Sequence, residues 1–379
     1  VCMHRLYSNR STMLQQTAYG VTRSTYRAYY PCYPNAYQRE RSKLSSIIII
    51  AVTKKIYTGL LAAVILCLFA ACSSNTKTIQ QRPTFSSDST YAYIEKQMSF
   101  GPRVPNSAAH SHCAVWLIQQ LRACGAQVEL QKGQMPDYRG NMQQIYNIVA
   151  HFSTPAIENR PRLLLAAHYD TRPWCDEEEN YADRFYNVPG ANDGSSGVGV
   201  LLEVGRQIGM RMADSTLYTP VDIVLFDCED MGTPQFYIGQ EREDTWCLGS
   251  QLWSTDYAQQ EQPAKYKYGI LLDMIGAPDA VFPKEMYSTQ YAQNYQEQIW
   301  RAAEQLGYGA LFSQQQSYPI TDDHYYVNVI AGIPCVDIIH YDTRTATGFA
   351  SWWHTRRDDM SNISKSTLQA VGEVVMSQL

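Results

Sequence analysis

Apolar residues along this chain fall into two patterns. Short, mainly apolar runs recur at wide intervals: Leu163-Leu164-Leu165-Ala166-Ala167 before His168, Val221 to Phe226 with a single Asp222 before Asp227, Ile270-Leu271-Leu272 before Asp273, and 334–341, which holds Asp337 and His340. Continuous apolar runs of that length mark strands buried on both faces. Between them lie stretches that read as helices, at 91–98, 110–124, 197–210, 287–306 and 365–379, and two further strands at 128–131 and 145–151. Strands alternating with helices predict an α/β fold. We expect a three-layer α/β/α sandwich around a central mixed, mostly parallel twisted sheet. The sequence carries no internal repeat, and 91–379 reads as one domain.

The front of the chain has a different pattern. Lys54-Lys55 precedes the run Leu60 to Phe69, which ends in Ala70-Ala71-Cys72-Ser73. A basic stretch, a short apolar core and small residues define an export signal, and the run is short for a membrane span. The small-small-Cys ending resembles a bacterial lipoprotein signal. That resemblance implies a lipidated Cys72 as the first residue of an exported, membrane-anchored protein facing the periplasm or the cell surface. An ordinary signal peptide or an uncleaved anchor are the alternatives. Residues 73–90 are polar and read as a flexible tether. Residues 1–51, rich in Tyr and Arg, show no periodicity that would bury a face, and are expected to be a non-native or unstructured extension.

Composition sharpens this split. Of 31 Lys and Arg and 36 Asp and Glu, residues 1–71 hold nine basic and one acidic, leaving 22 basic against 35 acidic in the body. A body that acidic argues against a nucleic-acid partner. Apolar residues at 45% and aromatics at 12% supply a large core and exclude disorder of the whole chain. Six cysteines follow Cys72, at 113, 124, 175, 228, 247 and 335, with no CxxC pair, so a zinc ribbon has no support. Cys113 and Cys124 read as one helix, about 16 Å apart, too far to bond each other.

In parallel sheets, ligands bind beyond the carboxyl ends of the strands. Polar residues gather there: His168 and Asp170, Glu229 and Asp230, and Asp273. Two other segments join them, Gly190-Ala191-Asn192-Asp193-Gly194 and Trp353-His354. Carboxylates and imidazoles suit zinc. An adjacent acid pair such as Glu229-Asp230 allows one member to bind metal and the other to move protons. Each residue also has a plainer reading. Asp193 fits a helix N-cap, His168 a core histidine held by Asp170, Asp322-Asp323 a turn, and Phe349 and Trp353 core aromatics. Asp358-Asp359 reads as a capping or surface pair. His4, His110, His112, His151 and His340 receive no role.

The ordered set of five segments resembles the M28 zinc-peptidase clan over roughly 91–379. The resemblance implies zinc ligands Asp193, Asp230 and His354, with Glu229 as proton shuttle. Asp230 departs from the clan, which usually has Glu there. Two chemistries occur in the clan. Aminopeptidases hold a second zinc, for which His168, Asp193 and Asp273 are present. Glutaminyl cyclases use one zinc. Three segments resemble the cyclases: Ile320-Thr321-Asp322-Asp323-His324, Phe349 to His354, and Leu272-Asp273-Met274-Ile275-Gly276-Ala277. They imply that Asp322 hydrogen-bonds Asp273, and that Phe349, Trp353, Ile320 and Trp246 line a pocket for a glutamine side chain. His168 and Asp170 would then support the centre from behind. The expected enzyme is a monomer with one zinc, acting on peptides and proteins with N-terminal glutamine; the alternative is a two-zinc aminopeptidase.

If Cys72 carries lipid, cells expressing the protein will incorporate labelled fatty acid into it, and Cys72→Ser will abolish the label. Labelling that survives in Cys72→Ser, or a mature peptide from 1–51 in cells, contradicts this account of the front.

Overall fold

The structure is a computed structural model that describes residues 82–240 and 242–379. The extension 1–51, the signal at 52–72 with Cys72, and residues 73–81 of the expected tether lie outside the described residues. The chain then runs α1 (Ser87–Met98), α2 (Ala108–Ala123), β1 (Gln127–Pro136), β2 (Met142–Phe152), β3 (Arg162–His168), α3 (Ser195–Ala213), β4 (Val221–Phe226), α4 (Leu248–Ala258), β5 (Tyr266–Asp273), β6 (Phe282–Lys284), α5 (Met286–Gln305), β7 (Phe312–Gln316), α6 (Asp323–Val329), β8 (Cys335–Ile339) and α7 (Lys365–Met376). Two short 3-10 turns, Tyr181–Phe185 and Met360–Asn362, interrupt the loops.

Six strands form one sheet in the order β1-β2-β4-β3-β5-β8. β4, β3, β5 and β8 are mutually parallel, while β1 and β2 add an antiparallel edge. The unbroken apolar runs are the parallel strands, and their side chains alternate between two cores. Leu163, Leu165 and Ala167 of β3 pack with Ile94 of α1, Leu117 of α2, Val204 of α3 and Val371 of α7. Leu164 and Ala166 point the other way, to Trp253 of α4 and Val327 of α6. A strand with helices over both faces has no solvent side, so β3 is apolar from Leu163 to Ala167, and the acids inside β4 and β8, Asp222 and Asp337, are themselves fully buried. The expected mixed α/β architecture is what forms.

Side-chain oxygens start several helices. Ser86, Ser107 and Ser364 accept from the backbone N–H three residues on, at the heads of α1, α2 and α7. The cap at Ser86 corrects one boundary: residues 87–90, assigned to the tether, form the first turn of α1, and Thr90 is buried. Helices α4 and α6 and the small β6–β7 pair were not expected from the sequence. α6 has seven residues, too few for a helical period to stand out. Cys113 lies in α2 and Cys124 caps its end; among the described residues the cysteines are unbonded to one another.

Candidate metal centre and active site

Asp193 sits in the tight loop between β3 and α3. Arg103, fully buried, donates to the carbonyls of Pro189 and Gly190 and to Ser195 Oγ. The Asn192 side chain accepts from Gly276 N–H at 2.6 Å, which ties the loop to the end of β5. Asp358 accepts from the N–H groups of Asn192 and Asp193 at 2.8 and 3.0 Å. Gly194 has φ +87°, and a Cβ there would stand 2.7 Å from the Asp170 carbonyl. That glycine, not Asp193, occupies the N-cap position of α3. The Asp193 carboxylate is therefore free of capping duty and faces the sheet ends.

There it meets two imidazoles. His168 Nε2 lies 3.1 Å from Asp193 Oδ1 and 3.1 Å from Asp273 Oδ1. His354 Nε2 lies 3.4 Å from Asp193 Oδ2 and 3.2 Å from Asp230 Oδ1. Ligand atoms 2.0–2.1 Å from a tetrahedral zinc stand about 3.3 Å apart, so the Asp193, Asp230 and His354 set fits zinc. Both oxygens of Asp230 are buried without a hydrogen-bond partner, which is costly unless a cation satisfies them. The shorter Asp230, in place of the clan's Glu, still reaches the centre.

The electrostatics also call for a cation. Burial raises the Asp193 carboxyl, but hydrogen bonds from His168 and His354 hold it well below the ordinary range. Burial lowers His354, yet Asp230 and its neighbours push it up to about 10. Carboxylates crowd both imidazoles, and a cation bound among them would offset that negative charge.

The supporting shell contains residues that sequence reasoning did not single out. Arg172 makes a bidentate pair with Asp176 at 2.7 and 2.6 Å, and donates to the Asp230 carbonyl. Asp176 Oδ1 stands 3.5 Å from His354 Nδ1. A carboxylate behind a ligating histidine fixes its orientation. Asp358 is fully buried, which corrects its reading as a capping or surface residue; Asp359 does cap the turn Met360–Asn362. His110 holds Asp227 at 2.8 Å and stacks on Tyr169.

Glu229 and Asp230 follow β4, where Asp170 accepts both their backbone N–H groups at 3.1 and 3.2 Å. Asp170 stands 3.5 Å from His168 Nδ1, which has no hydrogen-bond partner, so its main partner is this turn. Asp273 and Asp322 both line the cavity. Asp273 bonds His168, and a carboxylate oxygen of Asp322 lies within 4.8 Å of ligand atoms of Glu229 and Cys247. Asp322 caps α6 by accepting from Asp323 N–H through Oδ1, and its Oδ2 is buried without a partner. Burial, with the charge of Asp322 added, still pushes the Asp273 carboxyl up to about 7 against the pull of His168.

A cavity of about 340 Å³ opens over Asp193, Glu229, Asp230 and His354. Trp246, Ile320, Phe349 and Trp353, the four expected pocket residues, all line it. Trp353 stacks on His354 with ring centres 3.6 Å apart, and Phe349 lies 4.6 Å from Trp353. Trp246 lies parallel to His354 under the Arg172 guanidinium. A Cβ on Gly232 would overlap its indole, so the bare glycine makes room for the ring.

Replacing Asp176 by Asn keeps the shape but removes the charge behind His354. Zinc affinity, read by competition with a chelator, is expected to fall on the order of 10–100-fold with the far-ultraviolet dichroism unchanged. Unaltered affinity would remove Asp176 from the centre.

Known proteins resemble this chain in sequence and fold. A solved structure of a glutaminyl cyclase from Tannerella forsythia superposes with a TM-score of 0.73 at 46% identity, over 78% of this chain and 98% of that one. The bovine glutaminyl-peptide cyclotransferase is 25% identical over 297 residues, 72% of this chain and 76% of the relative. The Bacillus subtilis aminopeptidase YwaD is 26% identical over 238 residues, 62% of this chain but 44% of that protein, so the chain spans under half of YwaD's length. The profile of peptidase family M28 matches residues 147–379, more than half of the sequence, and the chain belongs to that family.

Proposed function

We infer that this protein is a glutaminyl cyclase, which converts the N-terminal glutamine of peptides and proteins to pyroglutamate and releases ammonia. The observation that carries this reading is the aromatic cavity stacked directly on the metal centre, with Trp353 against His354 and Phe349 behind it. A cavity of this size and lining accepts one flat side chain and presents its end to the centre. The likeness to the Tannerella forsythia and bovine cyclases supports the same conclusion.

Asp193, Asp230 and His354 would hold one zinc, which supplies a Lewis acid for a carbonyl oxygen. The protein's own groups do the rest. Phe349, Trp353, Trp246 and Ile320 hold the glutamine side chain so that its amide carbon meets the peptide's own α-amine. A bond forms between the α-nitrogen and that carbon, the bond to the amide nitrogen breaks, and ammonia leaves. Because both partners belong to one residue, orientation supplies much of the rate. Glu229 takes the proton from the α-amine and returns it to the departing nitrogen. Burial holds the Glu229 carboxyl well above its ordinary value, with Asp230 and Asp322 adding to the rise and His168 opposing it. A raised value suits a group that must take up a proton and give it back. Asp273 and Asp322 face the space where the leaving nitrogen departs.

A second reading, the two-zinc aminopeptidase, has one observation in its favour. His168, Asp193 and Asp273 also place ligand atoms within metal-binding reach of one another. Asp193 would then bridge the two ions. Under the cyclase reading that second position holds no metal, and Asp273 bonds His168 instead. We also read the enzyme as an exported monomer, tethered to a membrane through lipid on Cys72.

Replacing Glu229 by Gln is expected to lower kcat on a glutaminyl peptide on the order of 10²–10⁴-fold, with one zinc still bound per chain. Near-wild-type turnover would refute the shuttle. Two zincs per chain in active protein would favour the aminopeptidase.

A further inference from the structure

Beside the shuttle lies a set of ligand atoms outside the two trios already described. Glu229, Cys247 and Asp322 each offer one such atom, and the three atoms lie within 4.8 Å of one another. The Cys247 thiol donates to Glu229 Oε1 at 3.1 Å and is fully buried. Oδ2 of Asp322 is buried without any partner, while Oδ1 accepts from Asp323 N–H. The backbone fixes this arrangement. Cys247 N–H donates to the Glu229 carbonyl at 2.8 Å, Leu248 N–H to the Cys228 carbonyl at 3.1 Å, and Cys247 itself adopts φ 55°. Glu229 and Asp322 both line the cavity, so an ion arriving from solvent reaches them first.

We propose that Glu229, Cys247 and Asp322 form an inhibitory site for a soft divalent cation, zinc in excess or cadmium, separate from the centre at Asp193, Asp230 and His354. Two carboxylates and one thiolate supply charge and a soft donor together, a combination that favours zinc and cadmium over magnesium or calcium. The trio at His168, Asp193 and Asp273 has an imidazole but no sulfur, so an ion there gives no thiolate absorption. On binding, the Cys247 S–H bond breaks, the proton leaves to solvent, and the sulfur electron pair forms the bond to the ion. No electron changes hands. The bound ion holds the Glu229 carboxylate and leaves it unable to accept a proton. Binding is independent of the proposed reaction; inhibition rests on the role given to Glu229.

The test uses the full chain loaded with one zinc and titrated with cadmium. Thiolate-to-metal absorption in the ultraviolet and the rate on a glutaminyl peptide are read together. Wild type is expected to show an absorption band that Cys247→Ser lacks, so that the difference spectrum cancels the other cysteines. Half-inhibition in Cys247→Ser, relative to its own uninhibited rate, should need at least about tenfold more cadmium, since even outer-shell changes cost 10–100-fold in affinity. Cys247→Ala serves if the serine variant fails to fold. Equal absorption and equal inhibition in wild type and variant would overturn the site. A band dependent on Cys247 with no loss of rate would keep the site and overturn the shuttle role of Glu229.

Discussion

A single buried carboxylate organises this site. Asp193 turns one oxygen toward His168 and the other toward His354, each within 3.4 Å. A carboxylate shared between two imidazoles tolerates little movement. The loop that bears it is held by Arg103 from below, by Asp358 on its backbone and by Asn192 against β5. Even the glycine beside it is dictated, because a side chain at Gly194 would strike the Asp170 carbonyl. Removing any one of these supports would move Asp193 relative to both histidines at once.

Backbone strain collects at the same place. Among the described residues, seven non-glycine residues have positive φ, and four of them are residues of this centre or adjoin them in chain or space: Cys228, Cys247, Met274 and His354. Such conformations cost on the order of 1–3 kcal/mol each and persist only where the surroundings enforce them. Cys228 turns β4 so that Glu229 and Asp230 diverge, one to the cavity and one to the metal centre. Met274 turns the chain away after Asp273. His354 itself is bent so that its ring stacks on Trp353 while Nε2 faces two carboxylates. The aromatic wall and the metal trio thus share one residue, which links substrate position to metal position.

Much of this was legible in the sequence because it depends on local pattern. The buried strands declare themselves by unbroken apolar runs that end in a functional residue, as β3 ends in His168 and β5 in Asp273. Asp193, Glu229, Asp230, His354 and the four pocket residues all arrive where the segment order placed them. Other features depend on contacts between distant segments. The pairing of Asp176 with Arg172 carries a weak signal, an acid four residues after an arginine, but its approach to His354 crosses nearly half the chain. Asp358 looks like any loop acid until its carboxylate meets the N–H groups of Asn192 and Asp193. The capping of α6 by Asp322 was equally hidden, because that helix is too short to read from periodicity.

The ligand trios alone are compatible with one metal or two, and the aromatic cavity is what favours cyclisation. The most direct measurement is the fate of a peptide with N-terminal glutamine incubated with the purified protein, followed by ammonia release and product mass. Cyclisation predicts one ammonia released per peptide, with every residue retained and the N-terminus blocked. A free N-terminal glutamine and a peptide shortened by one residue would contradict it.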